Sequence, residues 1–256
     1  KKFTIYDIII IRIILVRGRI MLKNLRDLIF ILSVILLLSS CVFYSHTAKD
    51  KVVAREPDRE KIKLSEPVFD SPISIEKALL ERRSVRNYKK ESLTLSEVSQ
   101  ILWAAQGITD SHRYRTAPSA GALYGLKTYI LAGNVKDLPT GIYEYIPEGH
   151  ELTYVLKEDR RADLCKAAFG QDCLKEAPLV IVFTGIYERI SGKYGEKGIR
   201  FSHMEAGHAS QNVYLQCISL NLGTVAVGGF SDGDVKKLLP LEDNEEPLYL
   251  MPLGKK

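Results

Sequence analysis

The sequence has few cysteines, and their spacing does not suit a metal site. It contains four, Cys41, Cys165, Cys173 and Cys217. None of their spacings matches a zinc ligand pattern, so we predict no metal centre. Cys165 and Cys173 leave two alternatives open. They would form a disulfide in an exported domain, where disulfides persist, or remain free or buried thiols.

A basic excess is also missing from most of the chain. The formal charge is +5, but residues 1–40 carry seven basic and two acidic side chains, which leaves 29 of each in residues 41–256. Nucleic-acid-binding domains usually carry an excess of lysine and arginine, so that class is excluded. There is no internal repeat, and no Gly-x-Gly-x-x-Gly motif follows a first strand. A Rossmann fold therefore has no support.

The first part of the chain resembles a secretory leader. An apolar run over residues 28–38 follows a short basic segment and is too short for a comfortable membrane span. It ends in Leu38-Ser39-Ser40-Cys41, which resembles a bacterial lipobox with a lipidated cysteine. We expect residues 1–41 to be the leader, with Met21 as the start. Residues 1–20 are then either translated upstream sequence or an extended leader. Cys41 would anchor the protein to the membrane, facing the extracytoplasmic side. An uncleaved signal anchor is the alternative, and the protein would be cytoplasmic if the leader is not used.

Behind the leader we expect a tether and one folded domain. Residues 42–64 are polar and charged without a periodic apolar face, which predicts a flexible tether. Residues 65–256 form the predicted domain, and a chain with 46% hydrophobic and 26% charged residues suits a single globular unit.

Apolar periodicity and capping signals predict the elements of this domain. Ser74 caps a helix that runs through Arg82, and the capping box of Thr94 and Glu97 begins a helix that Gly107 ends. The remaining predictions are strands at 127–132, 141–146, 152–156, 179–184, 225–230 and 247–253, helices at 160–169, 202–222 and 232–239, and a loop at 191–198.

Three arginines and a serine lie close together in Glu81–Tyr88, which reads ERRSVRNY. A guanidinium grips phosphate through two parallel hydrogen bonds, and a hydroxyl adds another. The stretch therefore predicts an anion site where a helix gives way to extended chain. The alternative is a solvated basic helix end, favourable against the helix dipole.

A second stretch, residues 117–125, consists mostly of small residues and reads APSAGALYG. Small residues let the backbone approach a ligand closely. The alternative is a plain tight connection into the next strand.

Seven strings in a fixed order carry a family resemblance. The sequence resembles the nitroreductase-like flavoproteins, and within them the SagB/ThcOx-type dehydrogenases, from about Ile73 to the end of the chain. Their best-known members oxidise thiazolines and oxazolines in peptides to azoles. The strings are ERRSVRNY, ILWAAQGIT, RTAPSAGALYGLKTYI, GIYEY, GKYGEKGIRFSHMEAGHASQN, GTVAVGGF and LYLMPLGKK.

The resemblance implies an α+β sandwich around a central antiparallel sheet, in a homodimer with FMN at the subunit interface. Arg82, Arg83, Ser84 and Arg86 would hold the FMN phosphate and ribityl chain. A backbone N–H in the Gly228-Gly229 turn would point toward flavin N5 and favour the reduced, anionic flavin. The other implied cofactor-binding residues are Pro118, Ser119, Ala120 and Gly121 from the partner subunit, together with Gln211 and Lys255.

Lys193 and Tyr194 resemble the lysine–tyrosine pair that azoline-oxidising members place near the flavin. Azoline oxidation removes a proton from carbon while hydride leaves to N5, and either side chain can take that proton. The alternative is a pair of ordinary solvated loop residues. His208 lies on a predicted helix, where a packing role is more usual, so we leave it out of the catalytic set.

Two departures from the family leave the substrate open. The loop reads Leu123-Tyr124-Gly125 where the family usually has Leu-Tyr-Pro, and we expect no extra domain that recognises a leader peptide. We therefore expect an FMN-dependent dehydrogenase acting on a small-molecule or peptide substrate. The alternatives are an NAD(P)H-dependent nitro or quinone reductase and a non-catalytic flavin-binding lipoprotein.

Overall fold

A seven-stranded sheet in which every pairing is antiparallel organises the domain, in the order β1-β6-β5-β3-β7-β9-β8. The structure is a computed structural model that describes residues 60–256. A short parallel pair, β2 with β4, lies apart from this sheet. The strands are β1 (Lys61–Lys63), β2 (Leu93–Thr94), β3 (Leu126–Ala132), β4 (Val135–Lys136), β5 (Gly141–Ile146), β6 (Glu151–Leu156), β7 (Leu179–Ile186), β8 (Leu222–Thr224) and β9 (Glu245–Lys255).

Helices pack on both faces of this sheet, which confirms the predicted α+β sandwich. The helices of the described chain are α1 (Ile75–Glu81), α2 (Leu95–Gln106), α3 (Arg161–Ala167), α4 (Cys173–Glu176), α5 (Tyr187–Tyr194), α6 (Lys197–Ser219) and α7 (Asp232–Leu238). Every residue of β7 is buried, as expected for a continuous apolar strand that is covered on two sides. On one face Ile181 and Phe183 pack with α2 and α6, and on the other Val180 and Val182 pack with α3, α4 and α7.

The predicted helix starts are confirmed where the signal is local. Ser74 accepts a hydrogen bond from the N–H of Lys77 at the start of α1. Thr94 and Glu97 form the predicted reciprocal capping box of α2. Such caps satisfy N–H groups that have no partner within the helix.

Three predictions of local structure were wrong. The tether does not extend to residue 64, because Lys61–Lys63 pairs with β6 as an edge strand and Leu64 is buried. Residues 191–198 are not a loop, since α5 and α6 are separated only by Gly195 and Glu196. The strand predicted at 225–230 is limited to the bridge between Val227 and Leu250.

Residues 1–59, with the predicted leader, Cys41 and most of the tether, lie outside the described residues. Within residues 60–256, no helix is long and apolar enough to cross a membrane. The structure has Cys165, Cys173 and Cys217 as buried, free thiols. For Cys165 and Cys173 this is the free-thiol alternative and not the disulfide.

Candidate active site

The arginine cluster lies where α1 ends and the chain becomes extended. Arg82 is the C-cap residue of α1, and Ser84 forms a parallel bridge with Thr224 of β8. The Arg82 guanidinium carbon lies 5.1 Å from the ring centroid of Tyr214 on α6, and the hydroxyl oxygens of Ser84 and Tyr214 are 3.2 Å apart. The ends of α1, α6 and β8 therefore meet at this cluster.

Within residues 60–256, no carboxylate neutralises the three arginines. None lies within ion-pair distance of Arg82, Arg83 or Arg86. In the part of the chain that the structure describes, Arg83 donates only to the backbone carbonyls of Leu80 and Arg82. Guanidinium groups without a carboxylate partner keep donors available for an external anion such as phosphate.

A cavity of about 210 Å³ adjoins the cluster. Its walls include Arg83, Tyr214, Thr224 and Lys256, with Glu81 as the one carboxylate among the lining residues. The Thr224 hydroxyl is buried and has no hydrogen-bond partner in the described chain. An excess of cationic side chains, together with unused hydrogen-bonding capacity, fits the phosphate end of FMN.

Lys255 is engaged elsewhere in the domain. Its ammonium forms an ion pair with Glu97, the capping-box carboxylate of α2. The next residue, Lys256, lines the cavity together with Arg83. A phosphate contact from Lys255 stays a prediction, and Lys256 is a second candidate that the sequence analysis missed.

The small-residue loop makes a tight turn with glycine at its centre. Residues 120–122 form a 3-10 turn, and Gly121 has φ +64°, in the left-handed region that favours glycine. A Cβ at position 121 would lie 2.8 Å from Tyr194 Oη and 3.0 Å from Lys193 Nζ. The backbone of Gly121 is therefore in close contact with both predicted catalytic side chains.

Lys193 and Tyr194 occupy the C-terminal end of α5, where helix α5 gives way to Gly195. Lys193 Nζ lies 5.3 Å from the Tyr194 ring centroid, and this ring meets Phe201 edge to face with centroids 5.2 Å apart. Lys193 is exposed and Tyr194 half-buried. The pair is thus held on a rigid helix end, with polar tips facing a turn of the backbone.

Beneath the loop lies a carboxylate that the sequence analysis did not identify. Glu205 on α6 is 1% exposed, and the Ser119 hydroxyl donates to its Oε2 at 2.6 Å. Burial raises the pKa of the Glu205 carboxyl, while the hydrogen bond from Ser119 and the charge of Arg115 oppose the rise. The sequence did contain a signal for Glu205. It lies at helical spacing from Ala209 and Val213, so an acidic residue falls on the apolar, buried face of α6.

The Gly228-Gly229 turn presents open backbone. Both glycines are exposed, and a Cβ on Gly229 would meet only the side chain of Gln171, at 4.0 Å. The Gln171 amide donates to the carbonyl oxygens of Ala168 and Gly229 at 3.2 and 3.0 Å. Gln171 therefore orients this turn, a contact that no sequence signal revealed.

The remaining predicted cofactor residues lie on or against α6. Gln211 is half-buried three residues before Tyr214, a spacing that puts both side chains on one helix face. Pro118 is exposed, and its carbonyl accepts a hydrogen bond from His208 Nδ1 at 3.1 Å. Ala120 is half-buried in the turn beside Gly121. No group of side chains suited to a metal ion occurs within residues 60–256.

Comparison with known proteins identifies the fold. The sequence profile of the Nitroreductase family matches residues 79–255, from the arginine cluster to the last strand. The chain belongs to the nitroreductase family. Nitroreductase-family proteins are generally flavin-dependent oxidoreductases, and the resemblance drawn from the seven sequence strings is confirmed.

Similar proteins come from both archaea and bacteria. "Putative nitroreductase MJ1384" of Methanocaldococcus jannaschii is 43% identical over 207 residues, which cover 81% of this chain and 98% of that protein. The microcin B17-processing protein McbC of Escherichia coli is 27% identical over 173 residues, which cover 64% of this chain and 63% of that protein. A crystal structure described as a putative nitroreductase of Ralstonia eutropha is 30% identical with a TM-score of 0.68, and the match covers 76% of this chain and 89% of that one.

Proposed function

We propose that this nitroreductase-family protein binds FMN and oxidises a small-molecule or peptide substrate that contains an azoline-like ring. The observation that carries the proposal is the contact of Lys193 and Tyr194 with the Gly121 backbone. This contact brings two side chains that can accept a proton next to a loop of small residues that a ligand can approach closely. The similarity to McbC, which is named for the processing of a microcin, supports a substrate of this class.

The described residues fit FMN in three places. The phosphate and ribityl chain would be held by Arg82, Arg83, Ser84 and Arg86. In the described chain, the N–H and O–H donors of these side chains have no carboxylate partner. Pro118, Ser119, Ala120 and Gly121 would line the ring system, and the exposed backbone of Gly228 and Gly229 would lie beside it. The Ser119 hydroxyl already donates to Glu205, so its part in this site is to shape the loop.

Bound FMN supplies an acceptor for the hydride, which carries two electrons away from a substrate carbon. The protein must also remove one proton, so that the ring loses two hydrogen atoms and gains a double bond. An unprotonated Lys193 Nζ or Tyr194 Oη would accept that proton. The exposed position of Lys193 lets the proton pass on to solvent.

The test is the anaerobic reduction of FMN bound to the full chain by a model thiazoline. We expect loss of the oxidised-flavin absorbance with the parent protein. A Lys193→Met, Tyr194→Phe double variant should keep bound FMN but react at least about 100-fold more slowly. Lys197→Met, which removes an exposed lysine from the start of α6, is the matched control. Equal rates in the parent and the double variant would remove both residues from the mechanism.

A second candidate is a nitro or quinone reductase that takes electrons from NAD(P)H. Its support is the 43% identity to a protein with the nitroreductase name. Anaerobic addition of NADH or NADPH separates the two, because rapid bleaching of the flavin by a nicotinamide would favour this candidate. If the protein binds FMN and neither a thiazoline nor a nicotinamide bleaches the flavin, the non-catalytic flavin-binding lipoprotein would be favoured.

We also propose that the protein is a homodimer that completes each FMN site. The α1 surface, which we define as Val68, Phe69, Ile75, Leu79 and Leu80, has every side chain more than half exposed. Beside it lies a cavity of about 690 Å³ that is lined in part by α2 and α6. Contiguous exposed apolar residues are characteristic of protein interfaces.

Light scattering of the full chain tests the dimer. We expect a dimeric mass that Phe69→Ser with Leu80→Ser converts to a monomer with weakened FMN binding. Phe169→Ser is the control, because Phe169 is similarly exposed in the turn after α3. A monomeric parent with full FMN affinity would contradict the shared site.

The location of the protein is a separate proposal that rests on the leader sequence. Lipidation of Cys41 would anchor the domain to the membrane on its extracytoplasmic side. Cys41→Ser should then move the protein from the detergent phase to the aqueous phase, without change in FMN affinity. Intact mass of the parent would show the added lipid and the loss of residues before Cys41.

A further inference from the structure

Glu205 is an ionisable residue at a position where a neutral one would be easier to accommodate. It is 1% exposed, and burial of a carboxylate is unfavourable unless hydrogen bonds and nearby charge compensate. Its Oε1 makes no hydrogen bond of good geometry. Stability alone would therefore favour an uncharged residue of the same shape at this position.

The hydrogen bonds that favour the Glu205 carboxylate come from one loop. Ser119 donates to Glu205 and accepts the Tyr124 N–H at 2.9 Å, so a single hydroxyl links the carboxylate to both ends of residues 119–124. The N–H groups of Gly125 and Leu126 also favour the charged carboxylate. Glu205 is thus directed at the backbone of this loop.

Arg115 braces the same loop from its other side without forming an ion pair with Glu205. Its guanidinium lies 4.6 Å from the Tyr124 ring centroid, and it donates to Gln106 Oε1 at 2.9 Å. The backbone N–H of Arg115 also donates to the Tyr124 hydroxyl at 3.1 Å. Tyr124 is therefore fixed through its ring, its hydroxyl and its N–H.

Gly121 lies in the middle of the segment that these contacts close. It is the residue whose backbone meets Lys193 and Tyr194. We propose that Glu205 is a positioning residue that holds residues 119–125 in the conformation required by the flavin and by the Lys193–Tyr194 pair. This inference rests on the proposed function for the flavin, but its effect on the loop does not.

The first measurement is amide hydrogen exchange of the flavin-free full chain, for which Glu205→Gln is the decisive variant. The glutamine keeps the shape and loses the charge that the loop N–H and O–H donors favour. We expect exchange in residues 119–126 to rise about tenfold or more, while the melting temperature is unchanged or higher. Ser119→Ala should give the same local pattern. Ser202→Ala is the control, because that buried hydroxyl on α6 donates only to its own helix at Gly198.

The second measurement compares FMN dissociation constants and flavin reduction potentials. Glu205→Gln should weaken FMN binding about tenfold and shift the potential, and Glu205→Asp should restore part of both. Unchanged exchange in residues 119–126 would overturn the inference. Increased exchange with unchanged affinity and potential would overturn its flavin part. If the parent does not bind FMN, the proposed function fails, and hydrogen exchange still decides the positioning role.

Discussion

The guanidinium of Arg82 lies over the ring of Tyr214, with its carbon 5.1 Å from the ring centroid. This contact fixes an arginine by its flat face and leaves its edge, where the N–H donors are, available. The Tyr214 hydroxyl also accepts the Ala226 N–H at 2.7 Å, which ties the same ring to the chain after β8. The predicted anion site is thus connected to α6 through Tyr214.

Removal of two cluster arginines should abolish cofactor binding. We expect Arg82→Ala with Arg86→Ala to weaken FMN binding by at least about 100-fold, because each lost charged hydrogen bond costs roughly 1.5–3 kcal/mol. Fluorescence titration with FMN measures this. Arg189→Ala with Arg200→Ala removes the same charge from exposed positions and should change affinity less than about threefold. Similar losses in both double variants would indicate a general charge effect.

Gly121→Ala should disturb the contact between the loop and the proposed catalytic residues Lys193 and Tyr194. The backbone at this position has φ +64°, and the new Cβ would displace Tyr194 Oη and Lys193 Nζ. We expect turnover to fall about tenfold or more, with a stability loss of about 1–2 kcal/mol. Gly192→Ala on α5 is the control, since a Cβ there meets nothing within 4 Å. That variant should be unchanged or slightly more stable, by up to about 1 kcal/mol.

Lys127→Met should destabilise the domain strongly. Lys127 Nζ lies 3.4 Å from the fully buried Glu245 and 3.1 Å from Glu144. Its loss leaves a buried carboxylate without a counter-ion, which costs about 3–5 kcal/mol. Urea unfolding gives the value. Lys157→Met removes an exposed ion pair and should change stability by less than about 1 kcal/mol. Equal effects of the two variants would contradict this account of Glu245.

His150 should make stability depend on pH below neutrality. Burial lowers the pKa of its imidazole in the folded state, where Nδ1 and Nε2 lie 2.8 Å from the hydroxyls of Tyr145 and Ser99. A lowered folded-state pKa means that the unfolded chain takes up the proton first. The stability that uncharged His150 contributes is therefore fully present above about pH 6.5 and is lost as pH falls through the folded-state pKa.

The measurement for His150 is the urea midpoint between pH 7.5 and pH 5. We expect the parent midpoint to fall with pH and that of His150→Gln to change less. His112→Asn, at an exposed position, should retain the parent slope. A parent and a His150→Gln variant with parallel pH dependence would show that another group is responsible.

Features governed by neighbouring residues could be predicted from the sequence. The capping box of Thr94 and Glu97 set the start of α2 because both partners lie within one turn. The continuous apolar run of β7 indicated a strand covered on both faces. The order of motifs indicated the family and thereby the sheet, which no single segment could specify.

Features that depend on distant partners could not be predicted. Lys61–Lys63 is too short to show a strand pattern in the sequence, and it pairs with the edge of β6, far away along the chain. The glycines around Lys193 suggested a loop, but packing of α5 against α6 keeps the segment helical up to Gly195. The ion pair of Lys255 with Glu97 could not be predicted either, because the two residues are far apart in sequence.

The bridge between Ser84 and Thr224, together with the hydrogen bond from the Val85 N–H to the Thr224 carbonyl, joins segments about 140 residues apart. These contacts therefore need β8 as well as the segment that carries the arginines. A nascent chain that lacks its last forty residues would have its arginines but no organised anion site. If the protein binds FMN as proposed, flavin capture would then report that the chain has been made through β8, and a shorter chain would carry none.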